Sequence, residues 1–116
     1  MDAKEYRFNG VSVIEIIDDG IVLDGLQDLL DIVSDYSIKK IIFRKHNINE
    51  NFFKLETGFA AEILKRITAY KISIGIVGDF EEIENISLRD FIYESNEEKQ
   101  MLFKKTVKEV LRVFCR

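Results

Sequence analysis

A chain of 116 residues is about the commonest size for one folded domain, and its 47% hydrophobic residues argue against intrinsic disorder. The formal net charge of -4, with no basic block, disfavours nucleic-acid binding. The longest apolar runs, such as residues 20–23, are far too short to cross a bilayer, so no membrane contact is expected. The lone Cys115 cannot form an internal disulfide, which favours a reducing cytoplasm as the location.

The first part of the chain predicts a hairpin, a helix and a buried strand. Residues 11–17 are mostly β-branched and apolar, and Asn9-Gly10 predicts a tight turn from a short preceding strand near Tyr6. Apolar residues at helical spacing after Asp24 predict the first helix, with Asp24 as its N-cap. Residues 39–44 have the short apolar centre of a buried strand.

The middle of the chain predicts a loop, a helix and the best strand in the sequence. A polar loop at residues 45–54 leads to a second helix, predicted from Gly58 to about Tyr70 with Thr57 as its cap. Residues 71–77 (KISIGIV) are almost continuously apolar. That pattern is typical of a central strand covered on both faces.

The C-terminal segment predicts two further helices separated by a short strand. Ser87 is the predicted cap of the third helix, residues 100–103 form the strand, and Thr106 begins the last helix. The predicted order is therefore β-β-α-β-α-β-α-β-α. This alternation predicts a single α/β domain over residues 1–116, with a mixed, mostly parallel sheet, an antiparallel edge hairpin and about four helices.

This order resembles the STAS fold of anti-sigma-factor antagonists over nearly the whole chain. The resemblance rests on the strand KKIIFR, the Thr57-Gly58 pair at a helix start, the segment KISIGIVGD and the apolar inner face of the last helix. In STAS domains the loop before the second helix carries Asp-Ser-Ser/Thr-Gly, and a partner kinase phosphorylates the first serine to switch partner binding. Leu55 and Glu56 occupy the first two positions here, and a Ser kinase cannot phosphorylate a carboxylate. The resemblance therefore implies either a site held in a charged state or one used for another purpose.

A second resemblance covers residues 52–96. The combination of FFxLxTGxAxEIL, IVGDF and SLRDFIYESN is similar to a bacterial family known only as a domain of unknown function. These motifs together are more specific than the features shared with STAS domains. The resemblance implies no particular activity.

The candidate binding surface combines the loop before the second helix with the turn after strand 71–77. Its residues are Phe52, Phe53, Glu56, Thr57, Gly58, Asp79 and Phe80. Two adjacent phenylalanines in an extended loop cannot both point inward, so we expect one to anchor the loop and the other to pack on the second helix or to face a partner. Glu56 and Thr57 are alternatively explained by helix capping alone, and Asp79 by a turn.

The composition of the candidate sites favours a binding function over catalysis. His46 is the only histidine, and a zinc site would need further His or Cys ligands. We predict no catalytic residue, no metal site and no cofactor. The expected function is a cytoplasmic, non-enzymatic regulatory domain of STAS-like type that binds a protein partner.

Two alternatives remain open at this stage. One is a small-molecule-binding domain or minor enzyme that uses the crevice at the carboxyl ends of the strands, with Arg44, His46, Glu56 and Asp79 as its polar groups. The other is homodimerisation through the first hairpin or a helix face.

Overall fold

A computed structural model describes residues 2–116, and its elements follow the predicted order. The described residues form five strands: β1 (Ala3–Phe8), β2 (Val11–Ile16), β3 (Lys40–Arg44), β4 (Ser73–Val77) and β5 (Met101–Lys104). They also form four helices: α1 (Leu26–Tyr36), α2 (Phe59–Tyr70), α3 (Ile86–Glu98) and α4 (Val107–Phe114). Across these residues, no helix has both the length and the apolar character needed to cross a bilayer. The predicted α/β fold class is confirmed.

All five strands described in residues 2–116 lie in one sheet, in the order β1-β2-β3-β4-β5. β1 pairs antiparallel with β2, whereas every other neighbouring pair is parallel. Asn9 and Gly10 form the tight turn between β1 and β2, with φ angles of 53° and 78°. Asn and Gly adopt this left-handed conformation more readily than other residues, which explains why the pair predicted the turn. The mixed sheet with an antiparallel edge hairpin is confirmed.

Three helices cover one face of the sheet and the fourth covers the other. From β2 to β5, each strand lies on the same side of the strand before it in the chain. Right-handed crossovers therefore place α1, α2 and α3 on the same face of the sheet. There they enclose the larger core around Phe43 and Ile76. α4 packs on the opposite face, where Val110 and Phe114 meet Ile42.

A glycine in β4 lets α4 approach the sheet closely. Gly75 lies between Ile42 and Leu102 in the register of the sheet, on the face that α4 covers. A Cβ atom at Gly75 would lie 2.5 Å from Cγ1 of Val110, which is closer than two carbon atoms can pack. Gly75 is therefore the notch into which Val110 fits.

Besides α2, whose start belongs to the candidate site, two helices begin at residues other than the predicted caps. Gly25, not Asp24, occupies the N-cap position of α1, and the Asp28 carboxylate accepts the N–H groups of Asp24 and Gly25 at 2.9 and 3.0 Å. Asn85, not Ser87, caps α3, and its side chain accepts a backbone N–H of the first turn at 3.0 Å. Both positions were mispredicted because several polar residues near each helix start can cap, and tertiary packing decides where the first turn closes.

Candidate functional site

The segment between β3 and α2 is folded into short turns. Residues 45–57 form three 3-10 turns, at Lys45–Asn47, Glu50–Phe53 and Leu55–Thr57. Asn47 is fully buried, and its side-chain amide donates to the carbonyls of Asp18 and Gly20 at 2.7 and 2.9 Å. Its side-chain oxygen accepts the N–H of Arg44 at 3.0 Å. With these groups satisfied, Asn47 ties the segment to the loop after β2.

Phe52 anchors the second turn from the inside. Its side chain is 1% exposed. Its ring contacts the rings of Phe53, Phe59 and Phe103, with centroid separations of 5.2, 5.9 and 6.3 Å. Phe52 is therefore the phenylalanine that anchors the loop, and it belongs to the core.

Phe53 and Phe80 connect the two halves of the predicted surface. Their ring centroids are 6.3 Å apart, and the ammonium of Lys45 lies 5.5 Å from the first and 5.4 Å from the second. An ammonium over an aromatic face is attracted by the ring quadrupole. Gly78 makes room for this arrangement, because a Cβ there would lie 2.9 Å from Cβ of Lys45. The loop before α2 and the loop after β4 thus form one continuous surface.

Glu56, Thr57 and Gly58 are exposed at the start of α2. Gly58 occupies the N-cap position with a φ of 77°, a left-handed conformation that favours glycine. The predicted cap, Thr57, lies one residue further out. Its hydroxyl accepts the N–H of Phe59 at 3.3 Å, and its single proton is shared between two backbone carbonyls of the preceding turns at 2.7 and 2.8 Å. Thr57 thus stabilises both the helix start and the turn before it.

A groove of about 370 Å³ opens beyond the ends of β4 and β5. The chain leaves β4 for α3 on one face of the sheet and leaves β5 for α4 on the other, and ligands in open α/β sheets bind in such a crevice. Of the predicted residues, Asp79 and Phe80 line the groove, and the others lie outside it. The remaining lining residues are Gly78, Glu81, Ile92, Asn96, Phe103, Lys104, Lys105 and Glu109.

The polar groups of the groove are partly used by the fold. The Asp79 carboxylate accepts the N–H of Glu81 at 3.0 Å, which is the turn role considered for it. The side-chain amide of Asn96 pairs with the N–H and carbonyl of Phe103 at 2.8 and 3.2 Å, which closes the outer edge of β5. Thr106 caps α4 as predicted, accepting a backbone N–H at 3.2 Å.

A model of the family described as Domain of unknown function (DUF4180) matches residues 8–113. The chain belongs to this family. The matched range includes β2 to β5, α1 to α3, α4 up to residue 113, the predicted surface and every residue that lines the groove. No curated protein and no solved structure gives a significant match. The predicted membership of a domain-of-unknown-function family is confirmed.

The DUF4180 domain also contains an ion pair between a buried carboxylate and a partly exposed arginine that sequence analysis missed. Glu15 is 3% exposed and lies on the α4 face of the sheet, where its carboxylate pairs with the guanidinium of Arg44 and accepts the hydroxyl of Tyr6 at 2.7 Å. Arg44 also donates to the carbonyl of Ile16 at 2.9 Å. A buried carboxylate needs such partners because burial removes its hydration. The signal in the sequence is an acid within an otherwise apolar stretch of β2.

These contacts correct the set of polar groups expected in the strand-end crevice. The guanidinium of Arg44 pairs with the carboxylate of Glu15 instead. Arg44, His46 and Glu56 all lie outside the groove. His46 is exposed, with Nε2 3.3 Å from the carbonyl of Asp18. Within residues 2–116, no three His, Cys, Asp or Glu side chains gather closely enough to hold a metal ion.

The contact with Glu15 makes stability depend on pH in the alkaline range. Hydrogen bonding to Glu15, burial and the nearby carboxylate charge raise the pKa of Tyr6 from 10.0 to about 12. Because the folded pKa is the higher one, the stabilisation is present below pH 10 and is lost as the pH approaches about 12. We expect urea unfolding to show a steeper loss of stability across this range for the native chain than for Tyr6→Phe. Equal slopes for the two chains would contradict the hydrogen bond.

Proposed function

We propose that this DUF4180 domain is a regulatory module of STAS type that binds a partner protein through the exposed start of α2. The element order and the Thr57-Gly58 pair at the helix start, both features of STAS domains, support this proposal. The proposed contact surface consists of Phe53, Glu56, Thr57, Gly58, Asp79 and Phe80. Phe52 supports this surface from the core.

The observation that carries the proposal is that the loop before α2 is held from below while its outer residues are exposed. Asn47 and Phe52 are buried and fix the first two turns, whereas Glu56 and Thr57 are exposed. A surface that is ordered before binding loses little conformational entropy when a partner docks. The start of α2 is therefore suited to recognition without prior rearrangement.

Glu56 gives this surface a permanent negative charge. By the resemblance to STAS domains it corresponds to their phosphorylated serine, and it lies close to the positive end of the α2 dipole. A carboxylate carries about one negative charge, whereas phosphoserine carries nearly two. The domain thus acts constitutively, as a form that needs no kinase, and its partner presents a basic residue to Glu56.

We expect Glu56→Lys to abolish partner binding, because it reverses the charge at the centre of the surface. The measurement is affinity capture from a lysate of the source organism with the native chain, Glu56→Lys and Glu97→Lys as baits. Glu97 is a matched control because it is an exposed glutamate in the last turn of α3, which leads into the start of β5, whereas Glu56 follows the carboxyl end of β3. Circular dichroism confirms that each bait is folded.

The capture experiment distinguishes the site from the function. A protein retained by the native chain and Glu97→Lys, but lost by Glu56→Lys, supports both. If all three baits retain the same protein equally, the surface at the start of α2 is wrong. If the native chain retains no specific protein, the regulatory function itself is contradicted.

The groove beyond β4 and β5 favours small-molecule binding as a second candidate function. Its volume of about 370 Å³ falls within the range of about 300–1,000 Å³ typical of ligand pockets. Ile92 and Phe103 supply an apolar wall, while Asp79 and Lys104 supply charges of opposite sign. Thermal stabilisation by a metabolite, together with the absence of any captured protein, would favour this function over the first.

A further inference from the structure

We propose that the protein forms a two-fold homodimer in which β1 pairs antiparallel with β1 of a second copy, centred on Tyr6. β1 is the first strand in the sheet order, and its outer edge faces no other strand within residues 2–116. The strand runs over six residues, Ala3–Phe8. An edge of this length without proline is a template for pairing with another strand.

The backbone groups available at this edge follow from the pairing of β1 with β2. The N–H of Ile17 donates to the carbonyl of Asp2 at 2.8 Å, so Asp2 belongs to a hydrogen-bonded pair. Hydrogen-bonded and non-hydrogen-bonded pairs alternate in an antiparallel ladder, so the even-numbered residues of β1 bond to β2. The N–H and carbonyl groups that point outward are those of Ala3, Glu5 and Arg7.

The charges on β1 favour the register centred on Tyr6 over its neighbouring registers. All registers that use the outward groups place odd-numbered residues opposite each other, and they differ in the residue on the two-fold axis. Centring on Lys4, Glu5 or Arg7 places two like charges directly opposite each other, which is destabilising. Centring on Tyr6 instead places Glu5 opposite Arg7 of the second copy, and it does so twice by symmetry. Both side chains are exposed and lie on the same face of β1.

The other face of β1 is complementary in the same register. Lys4 comes to lie opposite Phe8 of the second copy, and the two Tyr6 residues meet at the axis. Phe8 is 52% exposed, and the ammonium of Lys4 already lies on this face, 4.9 Å from the ring centroid of Tyr6. Lys over Phe is a favourable cation–π pair, and aromatic residues paired across strands stabilise a sheet. A single register thus satisfies both faces.

The same charges also explain how the edge avoids other strands. Natural edge strands carry charged residues to prevent unspecific pairing. In β1 the charges repel a copy in the registers centred on Lys4, Glu5 or Arg7, which restricts how another strand can pair with this edge. The resulting dimer is a continuous sheet of two five-stranded halves. Because the two β1 strands are antiparallel, the strands of the two halves run in opposite directions. The starts of the two α2 helices therefore lie at opposite ends of the strands, away from the interface.

Sedimentation equilibrium of the full chain over a wide range of concentrations tests the dimer. We expect the native chain to associate reversibly into a dimer that weakens as salt is added. Glu5→Arg and Arg7→Glu each create two like-charge pairs, and we expect each to raise the dimer dissociation constant about tenfold or more. The double variant Glu5→Arg/Arg7→Glu restores opposite charges and should restore the native dissociation constant.

Two further variants distinguish this interface from any other. In Glu5→Pro the lost N–H points outward, so the β1–β2 ladder remains while pairing to a second copy is blocked, and we expect a folded monomer. Glu97→Lys, at an exposed site on α3, should dimerise like the native chain. A native chain that remains monomeric at the highest concentration overturns the proposal. Dimerisation of Glu5→Pro, or failure of the double charge reversal to restore association, overturns it equally.

Discussion

Phe52→Ala is expected to lower the free energy of unfolding by about 3–5 kcal/mol, the usual cost of removing a buried phenylalanine ring. Phe52 is 1% exposed and packs against Phe53, Phe59 and Phe103, so its loss leaves a cavity between the loop before α2, α2 itself and β5. Urea unfolding followed by circular dichroism measures the effect. Partner-binding experiments should therefore leave Phe52 unchanged.

Phe53→Ala is the matched control for this prediction. Phe53 is half-buried and contacts Phe80 and Lys45 near the surface, so its truncation exposes less apolar area and leaves no enclosed cavity. We expect it to cost less than half as much as Phe52→Ala. Equal losses for the two variants would contradict the assignment of Phe52 as the buried anchor.

Gly75→Ala is expected to destabilise the protein by about 1–3 kcal/mol, the usual cost of overpacking a core. The added Cβ would lie 2.5 Å from Cγ1 and 3.1 Å from Cγ2 of Val110, so α4 must move away from the sheet. A valine in a helix has one strongly preferred rotamer, so its side chain cannot turn aside at low cost. Urea unfolding followed by circular dichroism measures the loss.

A second substitution in α4 separates this clash from other effects of the alanine. Val110→Ala removes both methyl groups that the new Cβ would meet, so the double variant should be more stable than the sum of the two single losses predicts. Gly20→Ala is the control, since a Cβ there meets its nearest atom at an ordinary 3.7 Å. Its stability should lie within about 0.5 kcal/mol of the native chain. Additive losses in the double variant would show that Gly75 and Val110 do not interact.

The two proposals place distinct functions on different parts of the molecule. The surface around Glu56 lies at the carboxyl ends of the parallel strands, and the dimer edge lies along β1 at the side of the sheet. A monomeric variant such as Glu5→Pro should therefore still bind a partner, whereas Glu56→Lys should still dimerise. Failure of one proposal leaves the other intact.

The order of the elements could be predicted because local patterns and the global fold agree. The almost continuous apolar run of residues 71–77 became a central strand, and Asn9-Gly10 became the hairpin turn. Helix starts were less predictable. Asn85 and Ser87 are both good caps, and only the packing of α3 on β5 decides which of them closes the first turn.

For the candidate site, the sequence identified the segments but not their geometry. The prediction treated Phe52 and Phe53 as part of an extended loop, whereas residues 45–57 form 3-10 turns held by the buried amide of Asn47. The partners of Asn47 are backbone carbonyls of Asp18 and Gly20, far back in the chain, and no periodic pattern indicates such contacts. A crevice at the carboxyl ends of the strands was expected, with Asp79 among its groups, but most of its lining was not, because the lining depends on α3 and α4 lying on opposite faces of the sheet.

The sequence alone determined the family, the α/β class and the order of strands and helices, because apolar periodicity and turn residues act over a few neighbouring positions. Only the tertiary structure decided which distant residues meet. It brought Arg44 to Glu15 and Val110 to Gly75, and it left the edge of β1 open to solvent. The physical reason is burial. The carboxylate of Glu15 needs a partner because the fold removes its hydration, and Gly75 matters because the fold packs Val110 against it.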